Sequence, residues 1–147
     1  MLFRSVVDDD GDARELMRRL LERDGWEVVE AENGRAALAR LGEHRPELIL
    51  LDLMMPEMDG FELLGALRAR EAWRTIPVVV VTAKELTEED RGRLRGVVEG
   101  IVEKGARTGE ALAREVCELV TGCVRARAGQ GAGRPGRPDA EATRGTG

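Results

Sequence analysis

The sequence has few aromatic residues and few cysteines. Only 3% of its 147 residues are aromatic, none of them Tyr, and the two cysteines, Cys117 and Cys123, lie close together. Two neighbouring cysteines are too few for a disulfide framework or a zinc site, so we expect both to be free thiols. The single histidine, His44, argues against a Ser-His-Asp or Cys-His catalytic arrangement.

Long apolar runs are also missing. No run approaches the ~20 residues that a membrane helix needs, and the segment before Asp8 is too short and too charged for a signal peptide. We therefore expect a cytoplasmic protein without a membrane partner. With 42% hydrophobic and 35% charged residues, the chain has the composition of one globular domain with an aliphatic core, which excludes a multidomain enzyme.

The end of the chain differs in composition from the rest. Residues 124–147 are rich in arginine and glycine, and Val124 is the only Val, Leu or Ile among them. Such a segment buries too little apolar surface to offset the entropy of ordering. We therefore predict a domain over residues 1–123 and a disordered tail over residues 124–147. Dispersed arginines without aromatic residues are a weak signal for nucleic acid, and we predict no nucleic-acid partner.

Short apolar runs alternate with helix-period segments along residues 1–123. The runs are Leu2–Val7, Val28–Val29, Leu48–Leu51, Ile76–Val81, and Val97–Val98 with Ile101–Val102. The helical segments include Ala13–Arg23, a segment between Asn33 and Gly42, and one opened by Thr87 to Asp90; the others carry Phe61, Leu64 and Leu67, and then Leu112, Val116, Leu119 and Val120. This alternation predicts an α/β fold, a doubly wound five-stranded parallel sheet in three α/β/α layers. The first run fits poorly, because Arg4 and Ser5 interrupt it.

Polar residues follow the predicted strands at the edge where such sheets carry their functional groups. They are Asp8, Asp9 and Asp10 after the first strand, Asp52 after the third, Thr82 after the fourth, and Glu103 and Lys104 after the fifth. An Asp after a strand is often a helix N-cap, and for Asp10 and Asp12 we favour capping. The other polar positions at the strand ends, taken together, predict a functional site.

Carboxylates that are brought together repel each other unless a cation neutralises them, and Mg²⁺ with oxygen ligands is the obvious choice. Asp8 and Asp9 form a pair suited to the metal. Asp52 stands alone at the tip of the most apolar run and is the best candidate for a nucleophile that forms an aspartyl phosphate. Lys104 is able to pair with a phosphoryl oxygen, and Thr82 is able to donate a hydrogen bond to another.

Four segments resemble, in order and spacing, the receiver domain of two-component response regulators. They are Val6–Asp10, Leu50–Gly60, Val80–Ala83 and Lys104, and the likeness covers roughly residues 2–122. The resemblance implies a flavodoxin-like fold and a non-enzymatic module of a phosphorelay. Its implied partners are a histidine kinase or histidine phosphotransfer protein and an unknown downstream protein.

The resemblance also implies a role for each matching residue. Asp52 looks like the phosphoacceptor, with Asp8 and Asp9 as the acidic pair at Mg²⁺ and the backbone carbonyl of Met54 as a further metal ligand. Thr82 and Lys104 look like the switch hydroxyl and the phosphate-pairing lysine, and the Ala83 amide looks like a further phosphate contact. Two positions differ from the common family pattern, since Ile101 stands where an aromatic residue is frequent and Gly105 where proline is frequent.

Two other functions are compatible with parts of this pattern. A degenerate receiver would bind partners without being phosphorylated, and Arg4, Ser5 and Ile101 keep that alternative open. An Mg²⁺-dependent phosphohydrolase would also form an aspartyl phosphate, but it needs a general acid two positions after Asp52, where Met54 stands.

Overall fold

The computed structural model describes the backbone of residues 3–104 and 109–132, and the side chains of residues 3–104 and 110–122. The strands are β1 (Phe3–Val7), β2 (Glu27–Ala31), β3 (Leu48–Leu51), β4 (Val78–Thr82) and β5 (Gly100–Glu103). The helices are α1 (Gly11–Arg23), α2 (Gly34–Leu41), α3 (Gly60–Ala69), α4 (Glu88–Leu94) and α5 (Gly109–Ala132). Within these residues, the five strands form one parallel sheet in the order β2-β1-β3-β4-β5. The predicted doubly wound α/β fold is confirmed.

The register of the central strands brings the ends of β1 and β3 side by side. Val7 pairs with Ala31 on one side and with Leu51 on the other. The Asp52 amide donates to the Val7 carbonyl at 3.0 Å, and the Asp8 amide donates to the Ala31 carbonyl at 3.1 Å. The acidic residues that follow β1 and β3 therefore start from neighbouring positions at one edge of the sheet.

The sheet is covered on both faces, as the continuous apolar character of its strands requires. On one face, Val7, Leu51 and Val80 belong to a buried cluster with residues of α2 and α3, among them Ala37 and Leu63. Met17 of α1 lies on the opposite face, where it lines a small cavity with strand residues Val6 and Leu50. The core is aliphatic, as the shortage of aromatic residues predicts.

Side-chain caps start α1 to α4, and those of α1, α2 and α4 are the ones that the sequence indicates. The Asp10 carboxylate accepts from the amides of Asp12 and Ala13, which confirms that Asp10 caps α1. The Asn33 side chain caps α2, which ends at Gly42 as predicted. Reciprocal capping boxes, in which the side chains at both ends of the first turn bond to backbone amides, open α3 at Asp59 and Glu62 and α4 at Thr87 and Asp90.

The fourth and fifth strands differ from the predicted runs. β4 begins at Val78, after Pro77, and Thr82 is its last residue rather than the first residue beyond it. β5 begins at Gly100, because the amides of Val97 and Val98 both donate to the Leu94 carbonyl and close the turn after α4. Lys104 follows β5 directly, as the sequence predicts.

The first strand forms despite Arg4 and Ser5. It pairs with both β2 and β3, and the Arg4 side chain is fully buried with its guanidinium 3.3 Å from the centre of the Trp26 ring. Among the described residues, none provides a hydrogen-bond partner for the Nε or either terminal nitrogen of Arg4. Burial lowers the pKa of Arg4 to about 10, and the charge of Glu47 opposes this effect. Strand pairing therefore overrides an unfavourable side chain.

Contacts divide the chain into two compact units, Met1–Cys117 and Glu118–Gly147. Helix α5 runs through residue 123, and residues 124–132 have a helical backbone. The boundary at residue 123 and the disordered tail stay predictions. The other predicted tail residues, 133–147, lie outside the described residues.

Two smaller predictions concern the cysteines and the membrane. Cys117 is a free thiol, as expected, and the side chain of Cys123 lies outside the described part of the chain. In the residues that the structure describes, none of the helices combines the length and the apolar character needed to cross a membrane.

Candidate functional site

Three carboxylates meet at the edge of the sheet where β1 and β3 end. One carboxylate oxygen from each of Asp8, Asp9 and Asp52 lies within 4.8 Å of the other two. Asp8 and Asp52 are buried and Asp9 is exposed, so the cluster opens to solvent on one side. The structure thus brings together the three acids that the sequence selects.

The Asp52 carboxylate lies in surroundings that disfavour its charge. Burial, followed by the charge of Asp8, raises the pKa of Asp52 from 3.8 to about 6. Hydrogen bonds from the Met54 amide and Thr82, and the charge of Lys104, act in the opposite direction. The Met54 amide nitrogen lies 3.2 Å from Asp52 Oδ1. The net effect is a carboxylate whose negative charge the protein alone does not fully compensate.

Lys104 and Thr82 reach the same cluster from β5 and β4. The Lys104 ammonium lies 3.0 Å from Asp8 Oδ2 and is only 17% exposed. Thr82 is fully buried at the end of β4, and its hydroxyl oxygen accepts a hydrogen bond from the Lys84 amide at 3.1 Å. Both side chains therefore lie against the acids, as predicted, with the lysine bonded to Asp8.

Met54 and Ala83 lie on the loops that border the cluster. Among the described residues, Met54 is the one large hydrophobic side chain that is exposed, at 53%. Together with Asp9 and Lys84 it lines an open cavity of about 470 Å³. Ala83 is exposed and follows Thr82 on the loop between β4 and α4. The proposed contacts of the Met54 carbonyl and the Ala83 amide remain predictions.

Sequence reasoning missed Arg14, which contacts the backbone of Asp8, and Glu30, which is bonded to Arg14. Arg14 donates from one terminal nitrogen to the Asp8 carbonyl at 2.8 Å and from Nε to Glu30 Oε1 at 2.9 Å. A signal was available, because the predicted cap at Asp10 starts a helix whose first turn carries Arg14 back beside Asp8. Glu30 had no such signal, since it depends on the pairing of β2 with β1.

The donor set fits a hard divalent cation. It consists of carboxylate oxygens, which Mg²⁺ and Mn²⁺ prefer over nitrogen or sulfur ligands. Burial, and after it the charge of Asp8, raises the pKa of Asp52, and a bound cation would stabilise the charged form of this carboxylate. The residues present therefore suit Mg²⁺ in both chemistry and charge.

Comparisons with known proteins give a consistent result. The family model of the response regulator receiver domain matches residues 5–115. The polar-differentiation response regulator DivK of Brucella anthropi is 35% identical over 99 residues, which cover 67% of this chain and 80% of that protein. The transcriptional regulatory protein ResD of Bacillus subtilis is 42% identical over 95 residues, which cover 65% of this chain. The chain spans only 37% of the length of ResD.

A solved structure agrees with the sequence matches. The chemotaxis protein CheY4 of Vibrio cholerae superposes with a TM-score of 0.69 at 29% identity, over 81% of this chain and 98% of CheY4. Fold, family model and relatives all point to the same assignment. The chain belongs to the receiver domain family of two-component response regulators, which are signalling modules.

Proposed function

We propose that this chain accepts a phosphoryl group on Asp52 from a phosphohistidine, with Mg²⁺ bound at Asp8, Asp9 and Asp52. The donor is a histidine kinase or a histidine phosphotransfer protein. The observation that carries the proposal is the position of the Asp52 carboxylate, which is buried after β3 beside Asp8 and Asp9 and is affected by the charge of Lys104. A carboxylate in this position supplies a nucleophilic oxygen. Its acidic neighbours would bind a cation, and the ammonium of Lys104 would bind a phosphoryl oxygen.

The transfer requires an ionised Asp52. Its pKa of about 6 leaves the carboxylate mostly charged at neutral pH. One Asp52 oxygen attacks phosphorus, the bond from phosphorus to the imidazole nitrogen of the donor breaks, and the imidazole leaves with the bonding electron pair. Such chemistry needs little beyond positioning and charge neutralisation. When bound, Mg²⁺ supplies neutralisation of the phosphoryl oxygens.

The remaining residues orient the phosphoryl group. Lys104 exchanges its bond to Asp8 for a bond to a phosphoryl oxygen. The Thr82 hydroxyl donates a hydrogen bond to a second phosphoryl oxygen. The Ala83 amide contacts the group from the loop after β4. The carbonyl of Met54 completes the oxygen ligands of the metal. Buried surroundings at Thr82 and Lys104 strengthen these charge-assisted hydrogen bonds by lowering the local dielectric.

Phosphorylation then changes partner binding. Thr82 is linked to the loop before α4 through the Lys84 amide, and the Lys84 ammonium is bonded to Asp90 in the first turn of α4 at 3.2 Å. A Thr82 hydroxyl that turns toward a phosphoryl group therefore alters bonds at the start of α4. We propose that this segment has two arrangements and that a downstream protein distinguishes them.

The proposal is a signalling role rather than turnover of a substrate. Met54 occupies the position two residues after Asp52 where a phosphohydrolase of this chemistry carries its general acid. Methionine has no proton to donate. We therefore expect only self-directed phosphotransfer and loss of the acyl phosphate to water.

The test is the intact mass of the protein after incubation with acetyl phosphate, with and without Mg²⁺. Wild type, Asp52→Asn and Asp24→Asn are compared, because Asp24 is an exposed aspartate at the end of α1 and serves as the matched control. We expect one added phosphoryl group in wild type and in Asp24→Asn with Mg²⁺, and none in Asp52→Asn. A gain that persists in Asp52→Asn would contradict the proposal.

A further inference from the structure

We propose that Arg14 and Glu30 are positioning residues for the divalent cation held by Asp8 and Asp9. This inference rests on the proposed function and extends it to two side chains that do not contact the cation. The two residues form a bridge from β2 through α1 to the loop after β1.

The bridge fixes the backbone carbonyl of Asp8. The Asp8 amide is bonded to the Ala31 carbonyl of β2 at 3.1 Å, and the Asp8 carbonyl accepts its bond from a side chain of α1. Arg14 donates to that carbonyl at 2.8 Å. The Arg14 side chain is only 20% exposed, so its position is well defined by its surroundings.

The peptide unit that Arg14 holds links the two acids. The Asp8 carbonyl and the Asp9 amide belong to one planar peptide, so fixing the carbonyl oxygen fixes the plane from which both residues extend. Asp8 Oδ1 also accepts a hydrogen bond from the Asp10 amide at 2.9 Å, which orients its carboxylate. Without Arg14, rotation of this peptide would change the spacing of two of the three carboxylates.

Glu30 keeps Arg14 in this position. Its Oε1 accepts from Arg14 Nε at 2.9 Å, and its Oε2 lies 3.0 Å from Arg18 Nε, so both oxygens are engaged. The Glu30 carbonyl accepts a further bond from Arg40 Nε at 2.6 Å, which secures the residue from the other side of β2. Glu30 is therefore a fixed acceptor for the Arg14 guanidinium.

Glu30 also neutralises a charge close to the site. An unpaired guanidinium at this place would be attracted to the Asp8 and Asp9 carboxylates and would compete with a cation, as Lys104 does in its bond to Asp8. By pairing with Arg14, Glu30 confines the guanidinium to the carbonyl side of Asp8. The guanidinium then leaves the carboxylates of the cluster to the metal and to Lys104.

Positioning and simple electrostatics predict opposite changes in the affinity for a divalent ion when Arg14 is replaced by methionine. Arg14→Met removes a positive charge near a cation site, so Coulomb's law alone predicts tighter binding of a divalent ion. Loss of positioning predicts weaker binding, because groups that orient ligands contribute about 10-fold or more in metal affinity. Arg14→Lys keeps the charge but lacks the planar fork that contacts Asp8 and Glu30 together. Positioning therefore predicts weaker binding in both variants.

The experiment is titration of the full chain with Mn²⁺, with free ion measured by electron paramagnetic resonance. We compare wild type, Arg14→Met, Arg14→Lys and Glu30→Gln with the controls Arg19→Met and Glu22→Gln, which remove the same charges from exposed positions on α1. We expect about 10-fold weaker Mn²⁺ binding in Arg14→Met. Arg14→Lys and Glu30→Gln should also bind more weakly, whereas both controls should match wild type.

Thermal melts without metal show which variants are folded, and Arg14→Lys decides the matter if Arg14→Met does not fold. Wild-type or tighter Mn²⁺ binding in folded Arg14→Met or Arg14→Lys would overturn the positioning role and leave the proposed function intact. Absence of Mn²⁺ binding in wild type would overturn the metal site itself, and with it both proposals.

Discussion

The Lys104 ammonium lies 3.0 Å from Asp8 Oδ2, although 96 positions separate the two residues in the chain. Because the sheet is parallel, β1 and β5 both end on the same side of it. The long Lys104 side chain spans the distance from the end of β5 to Asp8, past β3 and β4. In this state Lys104 neutralises part of the acidic cluster. It is bonded to an oxygen of the proposed cation site, and under the proposed function it moves from that oxygen to the phosphoryl group.

This pairing predicts opposite effects of Lys104→Met on two measurements. Metal binding should become tighter, because a competing positive charge is removed from Asp8. The rate of phosphorylation by acetyl phosphate should fall about 100-fold, because one electrostatic partner of the transferring group is lost. Mn²⁺ titration and initial rates from intact mass measure the two effects. An unchanged rate would show that Lys104 has no role in the transfer.

The raised pKa of Asp52 predicts a pH-dependent effect of Asp52→Asn on stability. Folding raises the pKa from 3.8 to about 6, so the folded protein binds this proton more tightly than the unfolded chain. The resulting stabilisation is fully present below about pH 4 and is lost as the pH rises through about 6. Without divalent ions, Asp52→Asn should therefore raise the free energy of unfolding by about 2 kcal/mol at pH 8 and much less at pH 4.

Urea unfolding in a chelating buffer at the two pH values measures this difference. Asp24→Asn, at an exposed aspartate, is the control and should change stability equally little at both. A gain from Asp52→Asn that is as large at pH 4 as at pH 8 would mean that the ionised form of Asp52 is not its cause.

Much of the fold follows from local patterns. Buried strands such as Leu48–Leu51 are continuously apolar, and caps such as Asn33 and Thr87 act through residues within one helical turn. The strand-end rule then selects Asp8 and Asp52 for the site, because it depends only on the order of elements. These features need no knowledge of tertiary packing.

Features that depend on packing between distant elements could not be predicted. The bond from Arg14 to Glu30 needs the register of β2 against β1, which no local pattern indicates. The burial of Arg4 runs against the pattern of its strand and is visible only once Trp26 lies beside it.

The close approach of Gly60 to the loop after β3 predicts opposite effects of alanine substitution at two glycines of α3. A Cβ at Gly60 would lie 2.6 Å from the Leu53 Cα and 2.7 Å from the Asp52 carbonyl oxygen, both of them backbone atoms. Gly60→Ala should lower the free energy of unfolding by about 2 kcal/mol, because the loop after β3 must shift.

Gly65→Ala in the same helix is the control, since nothing lies within 4 Å of a Cβ there. That substitution should raise stability by about 0.5–1 kcal/mol through the higher helix propensity of alanine. Urea denaturation of both variants checks the pair. Equal effects of the two substitutions would contradict the tight approach at Gly60.

The buried guanidinium of Arg4 predicts a stabilising substitution. Its nitrogens have no hydrogen-bond partner among the described residues, and burial lowers its pKa to about 10. Stacking on Trp26 offsets only part of the cost of desolvation. Arg4→Met keeps an unbranched apolar side chain of similar length and should raise the free energy of unfolding by about 2 kcal/mol.

Denaturant unfolding of Arg4→Met beside Arg35→Met checks this expectation. Arg35 is exposed and lies 3.9 Å from Glu57, so its substitution should change stability by less than about 0.5 kcal/mol. A clear loss of stability in Arg4→Met would mean that the guanidinium contributes more than it costs.

The most direct measurement of the central claim locates the phosphoryl group on the chain. After phosphorylation with acetyl phosphate and Mg²⁺, borohydride reduces an aspartyl phosphate to homoserine, and peptide mass mapping identifies the converted position. Conversion at Asp52 alone is the predicted result. Conversion at Asp8 or Asp9, or a phosphorylated protein in which Asp52 remains aspartate, would contradict the account.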